Sequence, residues 1–206
     1  MEFVRTLWKD LVPLFPGAEV FIGGDEAHTT CWASNKAVAA WAEKLGLAIA
    51  NGTEATGGEG SLFGWYIDKV VSTVHGELGK RPAMWSPLHW DPAAPPAKLV
   101  SAKALLNLWT GDLSALAYNI TKSGTNELVT SVGWYLPTGN AYKVDPKAYC
   151  TNDTASKYRC TAAQRERIVG GEACMWGEGI DLSNFFTSVW PVRGSEDRPV
   201  IHSLVE

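Results

Sequence analysis

Five short apolar runs recur along this chain, at 19–24, 81–85, 104–109, 128–135 and 168–176, with helix-period or turn-rich stretches between them. A chain that alternates strands with helices covers both faces of a parallel sheet, so the expected class is α/β. Helices are predicted over 2–15, 35–46, 61–78, 111–123 and 161–167, with Asp112 near the start of the fourth. The first should be amphipathic, placing Phe3, Val4, Leu7, Leu11 and Leu14 on one face. Gly46 stops the second. Gly-rich residues 51–60 and Pro-rich residues 91–97 read as connections.

How the strands end narrows the architecture. In order, their carboxyl ends carry Asp25-Glu26, Trp85, Trp109, Trp134-Tyr135, and Trp176 with Glu178. A (β/α)8 barrel gathers its chemistry in this way, from several strand tips around one mouth. A complete barrel has eight strands and about 250 residues. This chain of 206 residues offers five strands, so the expectation is part of a barrel.

The acids at the first tip follow Phe21-Ile22-Gly23-Gly24, where two glycines let the backbone turn sharply at the strand's end. Crowded like charges in a low-dielectric site resist joint ionisation, so one acid can stay protonated while its neighbour is anionic. That division suits protonating a leaving group beside a developing positive charge. The same pair would also suit the first turn of a helix, and the hexapeptide leaves both readings open.

Composition limits the partners. Hydrophobic residues make up 46% and charged residues 19%, enough to build a core, and the net charge of −4 comes with no basic tract. Nucleic acid and anionic membrane surfaces are therefore poor candidates, and no apolar segment is long enough for a membrane span. Ten tryptophans raise the prospect of sugar stacking, although core filling accounts for some of them. No His/Cys cluster suggests a metal.

Four cysteines allow three pairings, and Cys150 with Cys160, bracketing a polar loop, is the expected local disulfide. Sequons at Asn51, Asn119 and Asn152 lean towards the secretory pathway. Yet the amino terminus lacks a cationic start followed by an apolar stretch, so no signal peptide is expected and the chain reads as starting inside a domain.

Gly23-Gly24-Asp25-Glu26 with Cys31-Trp32 resembles the acid motif of family 20 glycoside hydrolases, the β-N-acetylhexosaminidases. The likeness continues through Trp85, Trp109, Trp134-Tyr135-Leu136, the run Gly170–Glu178, Asn184 and Trp190-Pro191. It covers residues 1–191 and implies strands four to eight of a (β/α)8 TIM barrel. The implied reaction removes terminal β-linked N-acetylhexosamine with retention. The sugar's own 2-acetamido oxygen attacks the anomeric carbon, so no carboxylate nucleophile is needed.

The resemblance makes Glu26 the general acid and Asp25 the group that orients the acetamide. Tyr135 would bind the acetamido oxygen, Trp85, Trp109 and Trp176 would wall the pocket, and Glu178 would accept bonds from sugar hydroxyls. Glu172 is read as serving barrel packing or polar support rather than chemistry. The partner implied is a carbohydrate substrate and no cofactor. The parent would be lysosomal, vacuolar or secreted, and a homodimer is among the arrangements the resemblance allows.

Three departures stand out. Pro137 occupies a position where the family carries Asp. The early strands, with a sugar-gripping arginine and a disulfide partner for Cys31, are not in the sequence. Residues 192–206 diverge into a polar tail. The competing reading is a catalytically silent carbohydrate-binding fragment or partner subunit.

Overall fold

The computed structural model describes residues 1–49, 60–86, 104–122, 126–131, 158–172, 174–177 and 180–186. Five parallel strands form one sheet in chain order: β1 (Glu19–Phe21), β2 (Arg81–Trp85), β3 (Leu105–Leu108), β4 (Glu127–Thr130) and β5 (Ile168–Gly171). Registers run Phe21 to Ala83, Ala83 to Leu105, Leu106 to Leu128 and Leu128 to Ile168, with an irregularity between Leu128 and Val129. The α/β expectation holds. The strands are shorter than the apolar runs at 19–24, 104–109 and 168–176, and of the run 128–135 only residues up to 131 are described.

Helices flank the strands: α1 (Glu2–Leu11), α2 (Thr30–Ser34), α3 (Lys36–Lys44), α4 (Leu62–Ser72), α5 (Leu113–Lys122) and α6 (Ala162–Arg165). A 3-10 turn, Val12–Leu14, extends α1, and a π turn, Thr73–Glu77, extends α4. Helices α3 to α6 start on side-chain caps, whereas α1 and α2 have none. Asn35 Oδ1 accepts from the Ala37 and Val38 amides, Ser61 Oγ from Gly64 and Asp112 Oδ1 from Ala115. Thr161 and Gln164 form a reciprocal capping box.

The period-two alternation of the strands sorts the core into two faces. On one, Met84, Leu106, Leu108, Leu128 and Ile168 pack against Phe63, Ile67 and Val71 of α4 and Leu116, Ala117 and Ile120 of α5. On the other, Ala83, Leu105 and Val129 pack with Phe21. Because β3 is buried on both faces, it reads as a continuous apolar run broken by a single amide, Asn107.

The first helix departs from expectation. Val4 and Trp8 are the residues that pack on Val12, Val20, Val70 and Val74. Phe3, Leu7, Leu11 and Leu14 are exposed instead. Val4, Trp8 and Val12 recur at i, i+4 and i+8, and this stripe is the side that meets the core. Beside it, Arg5 Nε donates to Glu77 Oε2 at 2.6 Å and Lys9 approaches the same oxygen at 3.6 Å.

At the amino ends of the strands, Arg81 bridges to Glu127 at 2.8 Å. Lys80 Nζ donates to the carbonyls of Phe15, Pro16 and Gly17 just before β1. Among the described residues no helix is long and apolar enough to cross a membrane.

Candidate active site

Beyond Phe21 the chain stays tied to β2 for two more residues. The Ile22 amide donates to Ala83 O at 2.8 Å and the Trp85 amide donates to Gly23 O at 3.0 Å. The backbone then leaves the sheet through Gly23 at φ +73° and Gly24 at φ +102°. At φ +102° Gly24 holds a conformation that L side chains rarely adopt, so glycine suits this turn, with Met84 Cε 2.9 Å from where a Cβ would stand.

Asp25 and Glu26 follow in a bend that belongs to no helix, and α2 begins only at Thr30. The helix-cap reading of the acid pair is therefore not met. Asp25 is half-buried and Glu26 is exposed. Burial pushes the Asp25 carboxyl above its ordinary range and the Glu26 charge adds to that, while a backbone hydrogen bond opposes them. Glu26 sits at φ +43°, in the left-handed region that costs an ordinary side chain about 1–2 kcal/mol. Strain of this kind is found where the surroundings hold a residue in place for a purpose.

The next tips bring aromatic rings together. Trp85 is buried and central: its ring lies 4.9 Å from Phe21, 6.3 Å from Trp109 and 6.1 Å from Trp176. The Phe21 and Trp109 contacts are edge-on, at 63° and 69°, the geometry that ring quadrupoles favour. Trp109 is fixed further by its indole Nε1–H, which donates to Ser86 O at 3.0 Å. Trp176 is 42% exposed and so presents a ring to solvent at the open end of the sheet. The three tryptophans expected at the site are thus one cluster beside the strand that anchors the acid turn.

Beneath them runs a polar network that sequence reading missed in part. Asn107 Nδ2 donates to Glu172 Oε2, and Ser131 Oγ donates to Asn107 Oδ1 at 3.0 Å. Burial pushes the Glu172 carboxyl upward, offset in part by the Asn107 bond. The Cys174 thiol is pushed up to about 12, by burial first and then by the Glu172 charge. Glu172 fits its expected role as polar support. Asn107 and Ser131 were not anticipated, although a lone amide inside the apolar run 104–109 was the visible sign.

Other expected residues fall as follows. Tyr135, Glu178, Pro137, Cys150, Asn51, Asn152 and the tail 192–206 lie outside the described residues. Asn119 lies on α5, and its sequon threonine, Thr121, is buried with its hydroxyl bonded to Ala117 O at 2.7 Å. Cys160 is disulfide-bonded, and Cys31 and Cys174 are free. His28 is exposed. Among the described residues no group of three His, Cys, Asp or Glu side chains gathers to hold a metal.

Comparison with known proteins agrees with the α/β sheet. The chain is 27% identical to the β-hexosaminidase subunit alpha of Rattus norvegicus, over 94% of its own length and 34% of that protein. It is 25% identical to the β-hexosaminidase subunit beta of Homo sapiens, over 92% of this chain and 31% of that one. The chain thus spans about a third of the length of the curated relatives it matches. Among solved structures it superposes on an inactive mutant of a family 20 exo-β-N-acetylglucosaminidase from Vibrio harveyi, with a TM-score of 0.64 and 22% identity. That likeness covers 93% of this chain and 29% of that one, and it speaks for the fold. Residues 1–194 match the catalytic domain of glycosyl hydrolase family 20, and the chain belongs to that family.

Proposed function

We propose that this chain carries the acid-bearing part of a glycoside hydrolase that removes terminal β-linked N-acetylhexosamine from glycoconjugates or chitooligosaccharides, and supplies strands four to eight of a (β/α)8 barrel. The catalytic part spans residues 1–191, with 192–206 apart from it. The observation that carries the reading is the acid turn Asp25-Glu26 hydrogen-bonded through Gly23 to the strand whose tip, Trp85, joins Trp109 and Trp176.

Exposed at the open end, Glu26 is suited to meet a glycosidic oxygen and give it a proton. As the bond to the anomeric carbon breaks, the substrate's acetamido oxygen forms a new bond there and the alcohol leaves with Glu26's proton. The resulting oxazolinium carries the positive charge that a neighbouring Asp25 carboxylate would stabilise and orient. Glu26, now anionic, takes a proton from water as the water adds to the anomeric carbon and opens the ring. Two displacements at one carbon leave the configuration retained. The tryptophans give a pyranose apolar faces to lie against, and Tyr135 and Glu178 are the proposed holders of the acetamide and of the sugar hydroxyls. The likeness to β-hexosaminidase subunits and the three sequons support a lysosomal, vacuolar or secreted parent, in which a homodimer is one arrangement.

Hydrolysis of a chromogenic β-N-acetylglucosaminide by the purified chain, beside Glu26→Gln, tests the reading. Very weak turnover or none is expected of the chain alone, and whatever turnover it shows should fall by about a hundredfold or more in the Gln variant. Equal turnover by both would remove Glu26 from its role. A second reading, a silent carbohydrate-binding fragment, is favoured by Pro137 in place of an acid. It would appear as N-acetylglucosamine binding without turnover.

A further inference from the structure

Three polar side chains, on β3 and at the ends of β4 and β5, are buried together in one hydrogen-bonded group. Asn107 is 1% exposed, Ser131 is fully buried and Glu172 is 7% exposed. Burying a carboxylate and an amide together costs more than an apolar pair of similar volume would, so their presence points to something other than stability.

What the arrangement does provide is a fixed geometry across four consecutive strand tips. A carboxylate only accepts, so Glu172 commits the Asn107 amide to present its NH2 to β5 and leaves Oδ1 for the Ser131 hydroxyl at the end of β4. The backbone of Asn107 then sets the tip of β2. Its carbonyl accepts from the Ser86 amide at 2.8 Å, and its Cα is the register partner of Trp85. Ser86 O in turn accepts the Trp109 indole N–H. Hydrogen bonds linked through the residues Asn107 and Ser86 therefore connect the Glu172 carboxylate to the Trp109 ring, past the strand position that holds Trp85.

We propose that Glu172 and Asn107 are a positioning pair that sets the orientation of the Trp85–Trp109 wall, so that sugar affinity depends on a bond buried beneath the site. The sugar is the ligand of the proposed function, and to that extent the inference rests on that reading. The alignment of the rings does not.

The test uses the full chain with Glu172→Gln, Glu172→Ala and Asn107→Ala. Near-ultraviolet circular dichroism reports the coupled indoles, and titration with N-acetylglucosamine reports affinity. Far-ultraviolet dichroism and a thermal melt establish that each variant is folded. Gln keeps an acceptor oxygen for Asn107, so E172Q should retain both the indole signal and affinity within about twofold. E172A should stay folded yet lose the indole signal and bind about tenfold more weakly, a difference of about 1.4 kcal/mol.

A folded E172A with unchanged signal and affinity would overturn the proposal, and so would an E172Q as impaired as E172A. Should E172A not fold, N107A, which leaves the carboxylate in place, is read on the same two measurements against E172Q. If the unaltered chain binds no N-acetylglucosamine, the proposed function fails. The indole signal of the variants still decides whether the pair positions the wall.

Discussion

Replacing Glu26 by glycine should make the protein more stable while removing its proposed acid. Among the described residues Glu26 alone has a positive φ, 43°, without being glycine. Holding a side chain in that region costs about 1–2 kcal/mol, which glycine does not incur. Against this, glycine brings a more flexible unfolded chain, worth roughly 0.4–1 kcal/mol in the other direction. The net gain of Glu26→Gly over Glu26→Ala is then about 0.5–1 kcal/mol, or about 1–4 °C in melting midpoint for a chain of this size. Alanine is the right reference because both variants delete the carboxylate and its repulsion of Asp25, so that only the backbone differs. The assay is a pair of thermal melts in one buffer, with urea unfolding as a second measure. A glycine variant no more stable than the alanine variant would refute the assignment of strain to this residue. The activity reading would be untouched by that result.

Gly24→Ala should destabilise by about 1–3 kcal/mol, since it adds a Cβ at φ +102° and 2.9 Å from Met84 Cε; urea midpoints measure this. Asp25→Asn should raise stability at neutral pH. A carboxyl whose folded pKa lies above its unfolded value binds its proton more tightly when folded, so that stability falls as pH rises from near 3.8 through the raised value. The gap between the melting midpoints of this variant and the unaltered chain should therefore widen from pH 3 to pH 7, and a constant gap would contradict the assignment. Iodoacetamide at pH 8 should label Cys31, which is free and exposed, and leave Cys174, buried and pushed up to about 12, unmodified in the native chain. Peptide mapping by mass spectrometry would read the outcome.

Much of the site could be read before the fold was known, because it is written in local signals. The apolar run into Gly23-Gly24 marks the turn, and the tryptophans mark later strand tips that the sheet then brings together. What could not be read depends on partners distant in the chain. Which apolar residues of α1 meet the core is decided by Val20, Val70 and Val74, distant in the sequence, against which Val4 and Trp8 pack. Helix α2 was missed because Thr30–Ser34 is too short to show a period and lacks a side-chain cap. Asn107 could be seen as an intruder in an apolar strand, but not as Glu172's partner, because that pairing requires the β3–β4–β5 order.

Strand order has a consequence for how the protein assembles. Each strand pairs with the next in the chain, so a nascent polypeptide can add strands one at a time to an edge already in place. The closures are not equal. β2 to β3 and β3 to β4 join partners separated by short intervals, whereas β1 must meet β2 across the much longer stretch holding α2, α3 and α4. Longer closures cost more chain entropy and form more slowly. The acid turn hangs from β1 through Gly23 and Trp85, so it belongs to the last of these seams to zip. Hydrogen exchange during refolding would therefore see the β2–β4 amides protected first, with the Trp85 amide lagging behind them.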